Sequence, residues 1–299
     1  MDTARYRAFL SAVETGSFTK AAEALRYTPS GVCQLVNALE KELGLTLLVR
    51  DKRGVTLTHN GAEVLPAVRA LLLEEERLHQ LAAGLNGLTL GRITIGAYSS
   101  VSTHWLPAII KGFQEIYPNV EIHLMEGIHQ EIDAWLAEKK IDMAFYSFKT
   151  PMKHKWIPLA EDPMIAVLPM DHPLAGEKAY PLSYCQRERF IMPGLGMDAD
   201  VEALFRANHL SPRIGFSTLE TFSTLAMIEQ GLGMTITNAL ITKKWEGNVA
   251  RLPLDPPQSI TLGIALQSLK KASPAVRRFV DYAVERLRRP EATAKEATV

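Results

Sequence analysis

The chain has 299 residues, 47% hydrophobic and 22% charged, with 33 basic and 33 acidic side chains and a formal net charge of zero. That is an ordinary soluble globular composition, long enough for two or three compact units. No run of about 18 apolar residues occurs, which excludes a membrane-spanning helix and a membrane partner. The opening MDTARYRAFLSAV carries acidic Asp2 and a helical period instead of a signal peptide's continuous apolar core, so the expected location is cytoplasmic. The two cysteines, Cys33 and Cys185, fall in different expected domains, and no Cys/His spacing suggests a metal site. The eight histidines are scattered; His123 and His129, the closest interesting pair, read as solvated or hydrogen-bonded side chains. No cofactor is expected.

Residues 3–15 predict a first helix with Tyr6, Phe9, Leu10 and Val13 on one side and Gly16 as its stop. Ser17 can cap a second helix, in which Phe18, Ala21, Ala22 and Leu25 follow i, i+3, i+4, i+7. Arg26-Tyr27 make the turn. Thr28 caps a third helix with Pro29 at its first position, where a missing N–H costs nothing, and Gly44 ends it. Its buried stripe is Val32, Leu35, Val36, Leu39 and Leu43; its other face shows Ser30, Cys33, Gln34, Asn37 and Lys41. Short polar side chains near a helix N-terminus suit a major groove, because Gln or Asn can pair two atoms of adenine and Ser can reach a base edge or phosphate. Any amphipathic helix has a polar face, so the rest of the chain must decide.

Residues 45–58, LTLLVRDKRGVTLT, change period. Leu47, Val49, Val55 and Leu57 flank the turn DKRG and predict a β-hairpin, a wing whose basic tip can touch phosphates beside the groove. Residues 1–61 hold eight Lys or Arg against six Asp or Glu, and three of those cations are Arg50, Lys52 and Arg53. Such clustering matters more to phosphate contact than the overall sum. Thr58 can cap a helix over 59–88, about 45 Å long at 1.5 Å per residue. Val64, Leu71, Leu78 and Leu85 recur every seven residues, with Val68 and Ala82 between them, as in the seam of a two-helix pairing with a second copy of the chain. Packing on the following domain is the competing reading. Residues 86–91 read as a hinge.

From residue 92 strands and helices alternate: RITIGAY, SVSTHWLPAIIKGFQEIYP, VEIHLME, EIDAWLAEKK, IDMAFYS, then a second series from MIAVLPM near residue 163 to SITLGIAL. This order predicts mostly parallel sheet covered by helices, in two α/β subdomains whose strand ends make a ligand cleft. Ser273 and Pro274 start a last helix to about residue 289, and 291–299 read as a disordered tail. The candidate effector residues follow the strands. They are Ser99, Ser100, Ser102 and Thr103, then His129 and Tyr146, and from the second series Leu195, Gly196, Thr218, Glu220 and Thr221. Hydroxyls and free N–H groups at a helix start suit an anion, so the expected effector carries a carboxylate or a polar ring substituent. No nucleophile–base pair or metal set marks an active site. GLGMTI at 231–236 precedes its strand and is not a dinucleotide loop.

Taken together, the chain resembles the LysR-type transcriptional regulators of bacteria along nearly its whole length. In residues 9–61 the resemblance rests on FLSAVETGSFTKAAEAL, Leu39-Glu40, Leu43-Gly44, Arg50 and the string Leu57-Thr58-His59-Asn60-Gly61. Further on it rests on GRITIG, Leu106-Pro107, YPNVEIHLMEG, IDMAF and GLGM. The resemblance implies an N-terminal winged helix-turn-helix domain, helical but for its wing, over 1–58. A dimerising linker helix at 59–88 and a hinge at 89–91 follow. Residues 92–290 then form a two-subdomain α/β effector domain like a periplasmic binding protein, with 92–162 and 267–290 in one subdomain and 163–266 in the other.

It implies dimers, assembled into tetramers, on partly palindromic promoter DNA, with RNA polymerase as a further candidate partner. By the same resemblance Thr28, Ser30, Cys33, Gln34 and Asn37 carry over as DNA contacts, with Arg50, Arg53 and Thr58 as wing or phosphate contacts. Ser100 and Ser102 match the family's hydroxyl-rich first loop. Departures are Pro29 where Gln is usual, Cys33 for Ser, Leu48 for Phe and Asn238 for Pro. The expected function is a sequence-specific regulator, not an enzyme, modulated by a small molecule. The alternative is an α/β binding protein or enzyme with an accessory helical domain and no DNA function.

Overall fold

The computed structural model describes residues 3–51, 54–85 and 91–288. The chain divides into two compact units, residues 1–88 with 138–140 and residues 89–137 with 141–299.

In the first unit, α1 (Ala4–Thr15) ends at Gly16, whose φ of 64° is left-handed and suits a residue without Cβ. α2 (Phe18–Leu25) starts where the Ser17 hydroxyl accepts from the Lys20 N–H at 3.4 Å. α3 (Pro29–Leu43) is capped by Thr28 and stops at Gly44, φ 66°. Phe9, Ala12, Ala21, Val32, Val36, Leu39 and Leu47 are fully buried between these helices. Each large side chain so buried contributes about 1.5–3 kcal/mol before entropy is counted.

The wing is the antiparallel pair β1 (Leu48–Asp51) and β2 (Gly54–Leu57), in register Asp51 to Gly54. Leu48, not Val49, faces the core: Val49 is 46% exposed. The wing tip, Lys52 and Arg53, lies outside the described residues. α4 (His59–Leu85) follows, and the expected end at 86–88, the hinge residues 89 and 90 and the tail at 291–299 also lie outside them.

The seven-residue seam divides in two. Val64, Val68 and Leu71, with Leu65 and Leu72, pack on the unit's own core, so the first half of the seam is taken up neither by a second copy nor by the following domain. Leu73, Leu78 and Leu81 in its second half are 38%, 65% and 37% exposed.

The second unit is built on one eight-stranded mixed sheet. Its first elements are β3 (Gly91–Ala97), α5 (Ser99–His104), α6 (Leu106–Ile116), β4 (Val120–Glu126), α7 (His129–Ala137) and β5 (Met143–Ser147). The helix expected across 100–117 is two, because Pro107 cannot continue the ladder of α5 and instead opens α6. Next come β6 (Lys155–Pro169), β7 (Tyr180–Pro181), β8 (Arg189–Met192), α8 (Ala199–Ala207), β9 (Arg213–Ser217) and α9 (Thr221–Glu229). β10 (Thr235–Asn238), α10 (Ala239–Thr242), β11 (Val249–Asp255), β12 (Ser259–Leu266) and α11 (Pro274–Arg288) complete it.

The sheet order is β4-β3-β5-β12-β6-β11-β7, with β10 also on β6; β8 and β9 form a separate parallel pair. Only β3–β4, β3–β5 and β11–β7 are parallel in the large sheet, so it is mixed rather than mostly parallel. β6 explains the difference. Its 15 residues, about 50 Å of strand, pair with β12 over Lys155–Pro163 and with β10 and β11 beyond. The expected subdomain boundary at 162/163 falls inside this strand, and β12, expected in the second subdomain, pairs with β5 of the first. Its amphipathic first half hid β6 from an apolar-run reading; only the fully buried stretch after Pro163 stood out.

Candidate DNA-reading face and effector cavity

On α3, Thr28 and Ser30 sit at the exposed N-terminus. The Thr28 hydroxyl accepts from Gly31 N–H at 3.1 Å and lies 3.1 Å from Ser30 Oγ. Gln34 and Asn37 are exposed one turn apart. Gln34 has no hydrogen bond among the described residues and is free to turn to a base edge.

Asn37 is held. Its Oδ1 accepts from Arg50 Nη2 at 2.6 Å, and its Nδ2 lies 3.7 Å from Cys33 Sγ. Arg50 also meets Cys33 Sγ at 3.3 Å and Glu40 Oε2 at 3.0 Å, and its guanidinium lies 5.1 Å over the Phe18 ring. Glu40 in turn accepts from Leu47 N–H at 2.7 Å and Leu48 N–H at 3.1 Å. Arg50 therefore ties the wing's first strand to α3 while its side chain stays exposed at the surface. Thr58 is engaged too: its hydroxyl donates to Thr46 O at 2.7 Å and accepts from Gly61 N–H at 2.9 Å.

In the second unit an open cavity, about 590 Å³ with the solvent at its mouth included, lies where the loops after β3, β4, β8 and β9 meet β10. Ser99, Ser100, His129 and Thr221 of the expected residues line it. Ser100 is 3% exposed and its Oγ, in the wall, has no hydrogen-bond partner. The other expected residues stand back. Ser102 turns its hydroxyl onto Ser99 O at 3.2 Å, and Thr103 offers its carbonyl to Lys244 Nζ at 3.1 Å. Tyr146 is fully buried beneath His129, ring centres 4.7 Å apart. Leu195 (φ 54°) and Gly196 (φ 84°) form a left-handed turn beside the lining residue Gly194. Thr218 is hydrogen-bonded to Thr224, and Glu220 is exposed.

The polar centre joins residues of the expected loops after β3, β4 and β5 to Asp198 and Asp200, which the sequence does not single out. Tyr98 OH lies 3.1 Å from Ser147 Oγ and 3.2 Å from His129 Nδ1. Ser147 donates to Asp200 Oδ1 at 2.7 Å, and Lys149 forms an ion pair with the same oxygen. Asp198 caps α8 by accepting from Asp200 and Val201 N–H groups, both at 3.0 Å. Burial first, then the Asp200 charge, raises the Asp198 carboxyl to about 6. Burial likewise pushes the Tyr98 phenol well up and lowers His129, favouring its neutral ring. Below the floor, Asp162 accepts from Asn238 Nδ2 at 2.6 Å and Leu240 N–H at 3.0 Å, with burial raising its carboxyl.

Asp198, Asp200 and Asn238 line the cavity, and no Lys or Arg does. A carboxylate effector of the kind expected from the hydroxyl-rich loop would meet two carboxylates there. Both cysteines are free thiols; burial pushes Cys185 up to about 11.

Residues 3–62 match the family described as bacterial regulatory helix-turn-helix protein, lysR family, and residues 86–288 match the LysR substrate binding domain. The chain belongs to the LysR family of transcriptional regulators. It is 33% identical to the regulator YvbU of Bacillus subtilis over 95% of this chain and 98% of that one. It is 28% identical to the transcriptional activator CmpR of Synechocystis over 93% of each chain. In fold it is similar to full-length OxyR from Pseudomonas aeruginosa, with a TM-score of 0.77 and 20% identity over 97% of this chain and 99% of that one. As a LysR-type regulator it is a DNA-binding protein with an effector-binding domain, and α3 and the cavity lie in the two matched regions.

Proposed function

We propose that α3 reads promoter DNA through Ser30, Gln34 and Asn37, while the cavity at Asp200 receives the small molecule that modulates binding. Asp200 carries this reading. It sits on α8, between the strands of the separate β8–β9 pair, yet it bonds Ser147, the last residue of β5 in the large sheet, and Lys149 just after it. A ligand touching Asp200 therefore makes contacts that depend on how α8 and the end of β5 are set. A ligand shifts an equilibrium only by such a difference in affinity. Gln130 Nε2, which donates to Met197 O at 3.2 Å across the same gap, adds a second contact of this kind. The exposed leucines of the second half of α4 are the surface through which two copies pair, placing two reading helices on two half-sites. Arg50 and Thr58 support the reading face from behind, and the wing tip with Arg53 meets phosphate.

The test is a gel shift on DNA from upstream of the protein's own gene and on random DNA, at low and moderate salt. Affinity should fall steeply with salt on both. Gln34→Ala should cost about 1–3 kcal/mol on the specific fragment and nothing on random DNA. Equal losses on the two would remove Gln34 from the reading role.

A further inference from the structure

We propose that the cavity takes a small organic cation, a protonated amine or guanidinium, seated against Asp198 and Asp200 with a polar group meeting Ser100. The inference rests on the effector reading above and adds the charge class of the ligand. Asp198 commits Oδ1 to the start of α8, and Asp200 commits Oδ1 to Ser147 and Lys149. The second oxygen of Asp198 has no hydrogen bond among the described residues, while the Asp200 carboxylate also meets the Tyr98 hydroxyl. Asn238 gives one Nδ2 hydrogen to Asp162, and its carbonyl oxygen, another acceptor, has no hydrogen bond among the described residues. The wall therefore offers acceptors, and an ammonium or guanidinium is all donor.

Ser100 adds an observation independent of the carboxylates. Ser100 lines the cavity and its buried hydroxyl has no partner, an expensive arrangement that a polar group reaching it would relieve. The nearest cation, Lys149, is already paired with Asp200. An anionic ligand would face two carboxylates without a lining side chain to neutralise it. A cationic head arriving at Asp200 instead competes with Lys149 and loosens the bond that ties α8 to the end of β5.

The test uses the full-length protein near neutral pH, titrated calorimetrically and melted with agmatine and putrescine as cations, and shikimate and benzoate as anions. At least one cation should bind once per chain and raise Tm, and neither anion should. Asp200→Asn and Asp198→Asn should each weaken that binding about tenfold or more. Asn is itself a good helix cap, so Asp198→Asn keeps the start of α8, and circular dichroism checks that it does.

If the anions bind, and bind more tightly to Asp198→Asn, the charge class is overturned while the cavity stands as the effector site. Cation binding indifferent to both aspartate variants, and to Thr221→Tyr in the cavity wall, would overturn the site as well. If no probe of either class binds, the inference fails outright.

Discussion

The outer face of α3 and the wall of the cavity both hold polar groups in fixed places, with parts drawn from very different spans of chain. The α3 face is set within residues 16–61. Ser17, Thr28 and Thr58 cap its helices, Gly16 and Gly44 end two of them, and Arg50 locks Asn37 from 13 positions away. The cavity joins Tyr98 to Ser147, Ser147 to Asp200 and Asp162 to Asn238, links that span 49, 53 and 76 positions. A face built from neighbours is rigid before anything binds it. A wall whose carboxylate is bonded across a cleft changes when its halves shift, which suits the first to reading and the second to sensing.

The largest expected effect separates the two regions through α4. Leu78 is 65% exposed on the half of that helix that does not pack on its own core. Leu78→Asp should place a charge in the pairing seam and convert the dimer to monomer in sedimentation. It should also lower affinity for a two-half-site operator by about 10²–10⁴-fold, the usual worth of a second linked contact. Ligand binding in the cavity should be unchanged. A variant that stays dimeric with full DNA affinity would show that the exposed leucines are not the pairing surface.

How much of this was legible in the sequence follows from the same contrast. Caps, stops and the i, i+3, i+4 stripes of α2 and α3 are local signals, and Ser17, Thr28, Pro29 and Gly44 stand where those signals put them. The cavity's place after the strands was legible as topology, and Ser99, Ser100, His129 and Thr221 line it. Its chemistry was not. Asp198 reads as an ordinary helix cap, and nothing in a linear string shows that Ser147 and Asp200 meet. Strand alternation likewise missed the first half of β6, because a two-sided strand with mixed burial has no clean period. Arg50 was legible as a cation but not as one engaged by Cys33, Asn37, Glu40 and Phe18.

That engagement gives a smaller and sharper test of the reading face. If Arg50 acts by positioning Asn37, removing either should cost specific binding, and removing both should cost less than the sum. A double-mutant cycle of Arg50→Ala and Asn37→Ala on the specific fragment should give a coupling of about 0.5–3 kcal/mol. The exposed Arg50–Glu40 pair adds only about 0–1 kcal/mol to stability, so both variants remain folded. Additive losses, with Arg50→Ala weakening random DNA equally, would make Arg50 an independent phosphate contact.

The smallest expected effect lies in the cavity and concerns pH. Asp198 faces Asp200, Lys149 and Tyr98, and its carboxyl titrates at about 6 because burial and the Asp200 charge oppose its ionisation. A cationic ligand binds the ionised form. As pH falls through about 6 the proton and the ligand compete, and affinity should drop by up to about tenfold for each further unit. His129 works in the same direction: burial keeps its ring neutral near neutral pH, and its protonation in acid adds a positive charge beside the ligand. Tyr98 stays uncharged throughout, since its phenol is raised. Calorimetry with agmatine between about pH 5 and 8 should therefore show affinity rising to a plateau near neutrality, and Asp198→Asn should flatten the profile apart from the weaker His129 contribution. A profile that rises toward acid would mean that the ligand prefers a protonated wall, and the carboxylates would then act as donors rather than as the counter-charge of a cation.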